Sequence, residues 1–377
     1  MKRVLVVGAG QIGQMVAELL VSSGDYVVTV ADHSSEALAC IASRRHLSTQ
    51  RLSVTDRPAL VDAMQDQYAV LSATPYSLTG EIAKTAHAVG IHYLDLTEDV
   101  ATTRLVKGLA ATSTHALIPQ CGLAPGFVSI VAHDLARRFE QIDTLQLRVG
   151  ALPQYPSNAL GYNLTWSTEG VINEYCRPCE AIANGTRVEM PPLEELEHFA
   201  LNGVQYEAFN TSGGLGSLCE TLGGSVRNLN YRTIRYPGHR DAMKLLLQDL
   251  RLSERPGILA EVLEHAIPAT SQDVVVIFVT AIGLRAGRVW QESFAHNLYP
   301  TVLAGKDWTA IQTTTASAIC AVLDLLANGK LPAQGLIRQE DIRLDDFLAN
   351  RFGRAYASSP PVERSVPLRV AGVRDVA

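Results

Sequence analysis

Gly8-Ala9-Gly10-Gln11-Ile12-Gly13 decides the fold. Immediately before it, Arg3–Val7 reads Arg-Val-Leu-Val-Val, a continuous apolar run suited to a strand buried on both faces of a parallel sheet. After it, Gln14–Leu20 has the spacing of an amphipathic helix, which Gly24 stops. Tyr26–Ala31 is a second β-branched run and ends at Asp32. A Gly-x-Gly-x-x-Gly is a weak signal in a chain with 28 glycines. The strand before it, the helix behind it and the acid closing the next strand give each part a job. Gly8 permits the tight turn, Gly10 lets a pyrophosphate approach the backbone, and Gly13 lets the helix pack closely on the strand. Gln11 and Ile12 open the helix, whose free N–H groups and dipole favour an anion. Asp32 accepts hydrogen bonds from adenosine ribose hydroxyls and repels a 2′-phosphate. No arginine follows it directly, and Arg44 and Arg45 lie about a helix away. The expected cofactor is NAD in preference to NADP.

Outward from this stretch, strand-like and helix-like segments alternate. The strands are Gln50–Val54, Ala69–Ala73, Tyr93–Leu96 and Ala116–Pro119, with helices near residues 35–44, 57–66, 79–89 and 99–112 between them. Strands joined by crossover helices imply a doubly wound parallel sheet over residues 1–120. Beyond it, Gln120–Gly126 is a turn rich in glycine and proline that leads into a helix over Phe127–Arg138. Thr144–Ala151 then alternates with Leu145, Leu147 and Val149 on one face, and strand-like runs recur at Tyr206–Phe209, Asn230–Arg235 and Val274–Ala281. Residues 121–308 therefore read as an α+β substrate and dimerisation domain with a mainly antiparallel sheet. Helical periodicity returns in Thr309–Ala327, so 309–350 is expected to pack back near the first domain and 358–377 to form a loose tail.

Of the 377 residues, 47% are hydrophobic and 19% charged, which suits packed cores and excludes a disordered chain. Met1-Lys2-Arg3 runs straight into a short apolar run ending in glycine, without the h-region of a secretory signal, and the uninterrupted apolar stretches are strand-length. A cytoplasmic protein with no membrane partner is expected. Lys and Arg number 32 against 38 Asp and Glu, a net charge of −6 with no basic excess for nucleic acid. The cysteines at 40, 121, 176, 179, 219 and 320 are scattered, as reduced thiols are. The pair Cys176-Arg177-Pro178-Cys179 lacks the second Cys or His pair of a zinc site, so no metal is expected.

Five blocks, in order, resemble the saccharopine dehydrogenase family: the glycine fingerprint, Gly122-Leu123-Ala124-Pro125-Gly126, Gly161–Gly170, Glu207–Gly214 and Tyr231–His239. Within it, the chain is most similar to the shorter branch that includes lysine 6-dehydrogenase. The resemblance implies hydride transfer between a nicotinamide and the carbon bearing an amino or secondary amino group, in lysine or its adducts, with hydrolysis of the resulting imine. Such chemistry asks for a carboxylate clamp and a proton acceptor beside the nicotinamide. The nicotinamide is expected past the strand ends, at Thr74-Pro75, Asp95-Leu96 and Cys121-Gly122. Arginine suits the clamp because its planar fork binds both carboxylate oxygens; Arg235 comes first, then Arg232 and Arg177. His239 and Glu169 are the candidate bases. Tyr162 and Trp166 are expected to wall the pocket, and Thr211 and Ser212 to donate to a carboxylate. The substrate is left open between free lysine, saccharopine and another adduct, a carboxylated diamine being a narrower option, and a dinucleotide-binding protein without turnover stays open. A homo-oligomer, a dimer above all, is expected from exposed sheet edges.

Overall fold

The computed structural model describes residues 1–41 and 43–357; the expected tail at 358–377 lies outside them. The apolar run after Met1 forms β1 (Lys2–Val7), followed by β2 (Tyr26–Asp32), β3 (Leu47–Arg51), β4 (Ala69–Ser72), β5 (His92–Asp95) and β6 (Ala116–Ile118). All pair in parallel. Alternate residues of β1 serve opposite faces, as a strand's two-residue period requires. Val4 and Val6 join Met15, Val16 and Leu20 of the helix Gln11–Ser22. Leu5 and Val7 join Leu60, Ile82 and Val106 on the other side.

The second sheet is built from β7 (Gln141–Pro153), β8 (Cys179–Ala183), β9 (Thr186–Met190), β10 (Glu197–Leu201), β11 (Val204–Asn210), β12 (Val226–Arg235), β13 (Asp273–Arg285) and β14 (Arg288–Leu298). Its order is β10-β11-β12-β7-β13-β14, with the β8–β9 hairpin attached to β12. Only β7 and β12 run parallel. Leu145, Leu147 and Val149 share one core, while Leu152, Val274, Val276 and Ile234 close a smaller one.

After a small hairpin of β15 (Thr301–Leu303) and β16 (Lys306–Trp308), the chain returns to the first sheet. The helix Ala310–Ala327 packs on the helix Gln11–Ser22. It is long and apolar enough to cross a membrane by composition, yet most of it is buried inside the protein. The C-terminal segment is more than helical: β17 (Gly335–Leu336) pairs in parallel with β6. The first sheet thus reads β17-β6-β5-β4-β1-β2-β3, with its switch point between β1 and β4.

Asp273 joins the second sheet to this returning helix. Wholly buried at the start of β13, its carboxylate accepts from Ala310 N–H at 2.6 Å and Ile311 N–H at 2.9 Å, two donors that the helix itself cannot satisfy. Asp273→Ala leaves both donors unpaired in a dry place. It should cost about 2 kcal/mol, read as a lower urea midpoint at unchanged slope. An unchanged midpoint would show that the cap adds nothing.

Candidate active site

The glycine turn is built as its spacing requires. Gly8 has φ +109°, and a Cβ there would lie 2.4 Å from the Ala73 carbonyl oxygen. A Cβ on Gly13 would lie 1.9 Å from the Gly8 oxygen, so helix and strand meet as closely as backbone allows. Gly10 is different: its φ is −65° and a Cβ would meet nothing within 4 Å. That open space lies at the helix N-terminus, where no side chain caps the free N–H groups of the first turn. The donor set fits a pyrophosphate. Gln11 also accepts from Gln312 of the returning helix at 2.7 Å, and Ile12 packs into the core. Asp32 accepts from Ala9 N–H at 2.7 Å and Ser34 N–H at 2.8 Å, tying the end of β2 to the turn. Opposite it on β3 stands Arg51, an exposed guanidinium whose Nε donates to the His33 carbonyl at 3.3 Å. Arg44 is paired with Glu18 at 2.6 Å on the first helix.

Thr74 and Pro75 follow β4 beside Gly8, as expected for a strand-end turn. The neighbouring turns are organised from below. Asp95 is wholly buried and accepts from Thr97 N–H at 3.0 Å, Gln120 N–H at 2.9 Å and the Tyr93 hydroxyl at 2.7 Å. Burial nevertheless pushes its carboxyl up to about 6. Asp95 therefore shapes the loops after β5 and β6 from inside, and does not present its side chain to a ligand. Leu96 packs near Gly122 in the same layer. Cys121 is buried as well, its thiol on the Ile118 carbonyl at 3.1 Å, with Gln339 of the C-terminal segment donating to the sulfur at 3.3 Å. That leaves backbone as what Cys121 and Gly122 can offer a cofactor.

These loops form one wall of a cavity of about 490 Å³ between the two sheets. Tyr76, Glu98, Asp99 and Gln120 come from the segments that follow β4, β5 and β6, and Arg104 from the helix Val100–Ala110. Asn173, Arg177, Thr211, Ser212 and Gly213 face them from the second domain. Glu98 reaches across, for a Cβ on Gly213 would lie 3.1 Å from its Oε2. Glu174 is buried behind that loop, on the helix Thr168–Cys176 whose N-terminus Ser167 caps. Burial pushes both carboxyls upward, and the charge of Glu98 pushes Glu174 further. A second, smaller cavity of about 300 Å³ lies against β7, β12 and the β8–β9 hairpin, away from the glycine turn.

Arg235 does not line the cleft. It is 2% exposed, with Nε on the Tyr175 hydroxyl and Nη1 on the Ile234 carbonyl, both at 2.9 Å. The Tyr162 ring centre lies 5.1 Å away, so Tyr162 packs on this guanidinium. His239 corrects a second expectation. Its Nδ1 lies 2.9 Å from the Leu160 carbonyl, which can only accept, so Nδ1 carries the proton. Nε2 then accepts from the Tyr175 hydroxyl at 3.0 Å. Burial and Arg235 lower this imidazole to about 3. With both nitrogens engaged, His239 orients Tyr175 and is no base. Glu207, buried on β11, places it there by holding the N–H groups of Gly238 and Arg240 at 2.8 and 2.6 Å.

Glu169 is exposed in the first turn of its helix, and Trp166 packs over Gly170. Arg232 is occupied by Glu195 at 2.8 Å and Glu197 at 2.9 Å. Thr211, hydrogen bonded to Thr233 at 2.9 Å, and Ser212 do line the cleft, as does Arg177, held on Asn173 at 3.2 Å. Sequence reasoning misses Glu98, Glu174, Tyr175 and Arg104. Glu98 stood within reach of it, one residue past Thr97 in a strand-end loop.

Two family models cover almost all of the described chain. Residues 4–117 match the saccharopine dehydrogenase NADP binding domain, and residues 122–352 match the saccharopine dehydrogenase C-terminal domain. The chain belongs to the saccharopine dehydrogenase family. It is 25% identical over 177 residues to the NADP(+), L-glutamate-forming saccharopine dehydrogenase of Saccharomyces cerevisiae, covering 45% of this chain and 40% of that one. To the mitochondrial alpha-aminoadipic semialdehyde synthase of Bos taurus it is 22% identical over 257 residues, 64% of this chain and 27% of that one. The matches thus span less than half the length of either relative. The solved apo saccharopine dehydrogenase (L-Glu forming) from Saccharomyces cerevisiae shares the fold, with TM-score 0.74 at 16% identity over 94% of this chain and 96% of that one.

Gly10→Val tests where the family's dinucleotide sits on this chain. The side chain enters open space, so the fold should persist, while cofactor affinity falls by orders of magnitude in a fluorescence titration with NADH and NADPH. Unchanged affinity would place the cofactor elsewhere.

Proposed function

We propose that this protein is a nicotinamide-dependent oxidoreductase that acts on the C–N bond of an amino acid or amino-acid adduct of the saccharopine type, in the cleft between its two sheets. One observation carries this reading. The cleft opens on the carboxyl ends of β4, β5 and β6, beside the glycine turn, and carries both carboxyl groups and guanidinium groups. Carboxylates suit the nitrogen of an amine and arginines its carboxylates. When bound, the nicotinamide supplies the hydride acceptor; Gln11, Ile12 and Asp32 would hold the dinucleotide. The chain's own residues do the rest. Arg177 and Arg104 orient the substrate carboxylates, Thr211 and Ser212 add hydroxyl and N–H donors, and the buried Arg235–Tyr175–His239 cluster ties down the helix that carries Asn173. The reading includes a cytoplasmic homo-oligomer, supported by the edge strand β14, where Val289 and Trp290 are exposed. A panel of lysine, saccharopine and related secondary amines, with NAD and with NADP, read at about 340 nm, tests it. Turnover of a non-amine alcohol and of no amine would overturn it.

For the cofactor, Asp32 supports NAD. The matched NADP-binding family and Arg51 support a second reading, use of NADP, because a 2′-phosphate beside Asp32 would lie near that guanidinium. Arg51→Ala should lower kcat/KM with NADP about tenfold, the loss of ~1.4 kcal/mol from one charged contact, and leave NAD unaffected. Equal loss with both cofactors would show that Arg51 does not read the 2′ position.

Arg177→Ala should lower kcat/KM for the amino-acid substrate about 10–150-fold, as expected for loss of a charge-assisted pair of ~1.5–3 kcal/mol. Cofactor affinity should stay the same. Arg177→Lys should recover only part, since lysine keeps the charge and loses the fork. Full activity in Arg177→Ala would remove this clamp from the account.

A further inference from the structure

We infer that Glu98 is the catalytic base of the cleft, taking the proton of the substrate nitrogen, and that Glu174 is the positioning residue behind it; the inference rests on the amine-oxidising reading above. The two carboxyls come from different domains. Glu98 follows β5 and precedes the helix Val100–Ala110, whose cap Asp99 holds Thr102 N–H at 2.7 Å and so fixes the loop. Glu174 lies on the helix Thr168–Cys176, where its carbonyl accepts from Ser212 N–H at 3.1 Å. The Thr211–Gly216 loop therefore sits between them, and Gly213, at φ +92°, leaves the room that the Glu98 side chain fills.

Among the described residues, neither carboxyl group holds a hydrogen-bond donor, although Glu174 is buried and Glu98 half-buried. Acceptors left open on a cleft suit a ligand that brings its own N–H groups. The other ionisable groups within electrostatic reach are Asp99 beside Glu98, Tyr231 of β12 near both, and Arg235, Tyr162, Tyr175 and Cys179 around Glu174. Arg104 and Arg177 stand on the cleft walls. Burial raises both carboxyls, the charge of Glu98 raises Glu174 further, and Arg235 offsets this only in part. Burial raises Glu98 toward neutrality, where a base works best.

The step balances on the substrate. An N–H bond of the ammonium breaks, the proton passes to Glu98, and the electron pair stays on nitrogen. That pair closes the C=N bond as the carbon gives up its hydride to the oxidised nicotinamide that the proposed activity supplies. Water then adds to the C=N carbon and loses a proton to solvent. Protonated Glu98 returns its proton to nitrogen, the hydroxyl O–H bond gives its proton to solvent and its electron pair to the C=O bond, and the C–N bond breaks with its pair leaving on the amine.

The test is the pH profile of kcat for wild type, Glu98→Gln, Glu98→Asp and Glu174→Gln, with whichever panel amine the wild type oxidises fastest. A base must be ionised, so wild-type kcat falls as pH drops through its titration. Glu98→Gln should lower kcat about 100–10,000-fold and abolish that acid limb, with NADH affinity and Tm unchanged. Glu98→Asp should be slower yet keep the limb. Glu174→Gln should lower kcat less, and should lose one protonated-carboxyl band from the infrared spectrum at neutral pH. A Glu98→Gln enzyme with wild-type kcat and an intact acid limb would overturn the inference, as would an unchanged infrared spectrum for Glu174→Gln. A wild type that oxidises no amine refutes the parent reading, and the infrared difference then decides the pair by itself.

Discussion

Arg235 is a full positive charge shut away from water, and much of the second domain is arranged around that fact. A buried guanidinium persists only if its donors are met and its charge is balanced. Tyr175 and the Ile234 carbonyl meet two donors, and His239 fixes Tyr175 by accepting its hydroxyl proton. Glu174, on the same helix as Tyr175, lies within electrostatic reach of that charge. Glu98, arriving from the other domain and itself raised by burial and by Asp99, drives Glu174 further toward its neutral form. The state of Glu174 is thus set by burial and by Glu98, with Arg235 pulling the other way.

This coupling needs the two sheets to keep a fixed relation, and the chain arranges that by going back. The helix Ala310–Ala327 starts on Asp273 of the second sheet, packs along the first helix, and leads to β17 on the edge of the first sheet. Gln339 then reaches Pro119 and Cys121, and Glu340 receives Ser217 from the second domain at 2.8 Å. The cleft is therefore held by pieces far apart in the chain, with the C-terminal segment bracing both domains from outside its lining.

Much of this is legible in the residues themselves. The glycine turn, the parallel strands and Asp32 announce themselves because each is a local pattern with a local cause. β9 alternates only between exposed and half-buried, with Thr, Arg and Glu among its residues, and leaves no apolar period to read. β14 is exposed over most of its length, and β17 has two residues. The site divides in the same way. Arg235 and His239 stand out as chemistry-bearing residues in a distinctive block, but whether an arginine faces a ligand or a core depends on what surrounds it. Here Tyr175 and Glu174 surround it, and nothing in the Tyr231–His239 block refers to them. Glu98 becomes a candidate only when folding brings Gly213 and Glu174 to it.

The central claim is that amine chemistry takes place between the sheets, against Glu98. The most direct measurement is a crystal structure with nicotinamide cofactor and a slowly reacting amine substrate bound together. The account predicts the substrate nitrogen within hydrogen-bond distance of Glu98 and a substrate carboxylate on Arg177. Substrate seated instead in the cavity against β7 and β12, with Glu98 facing only protein, would contradict it.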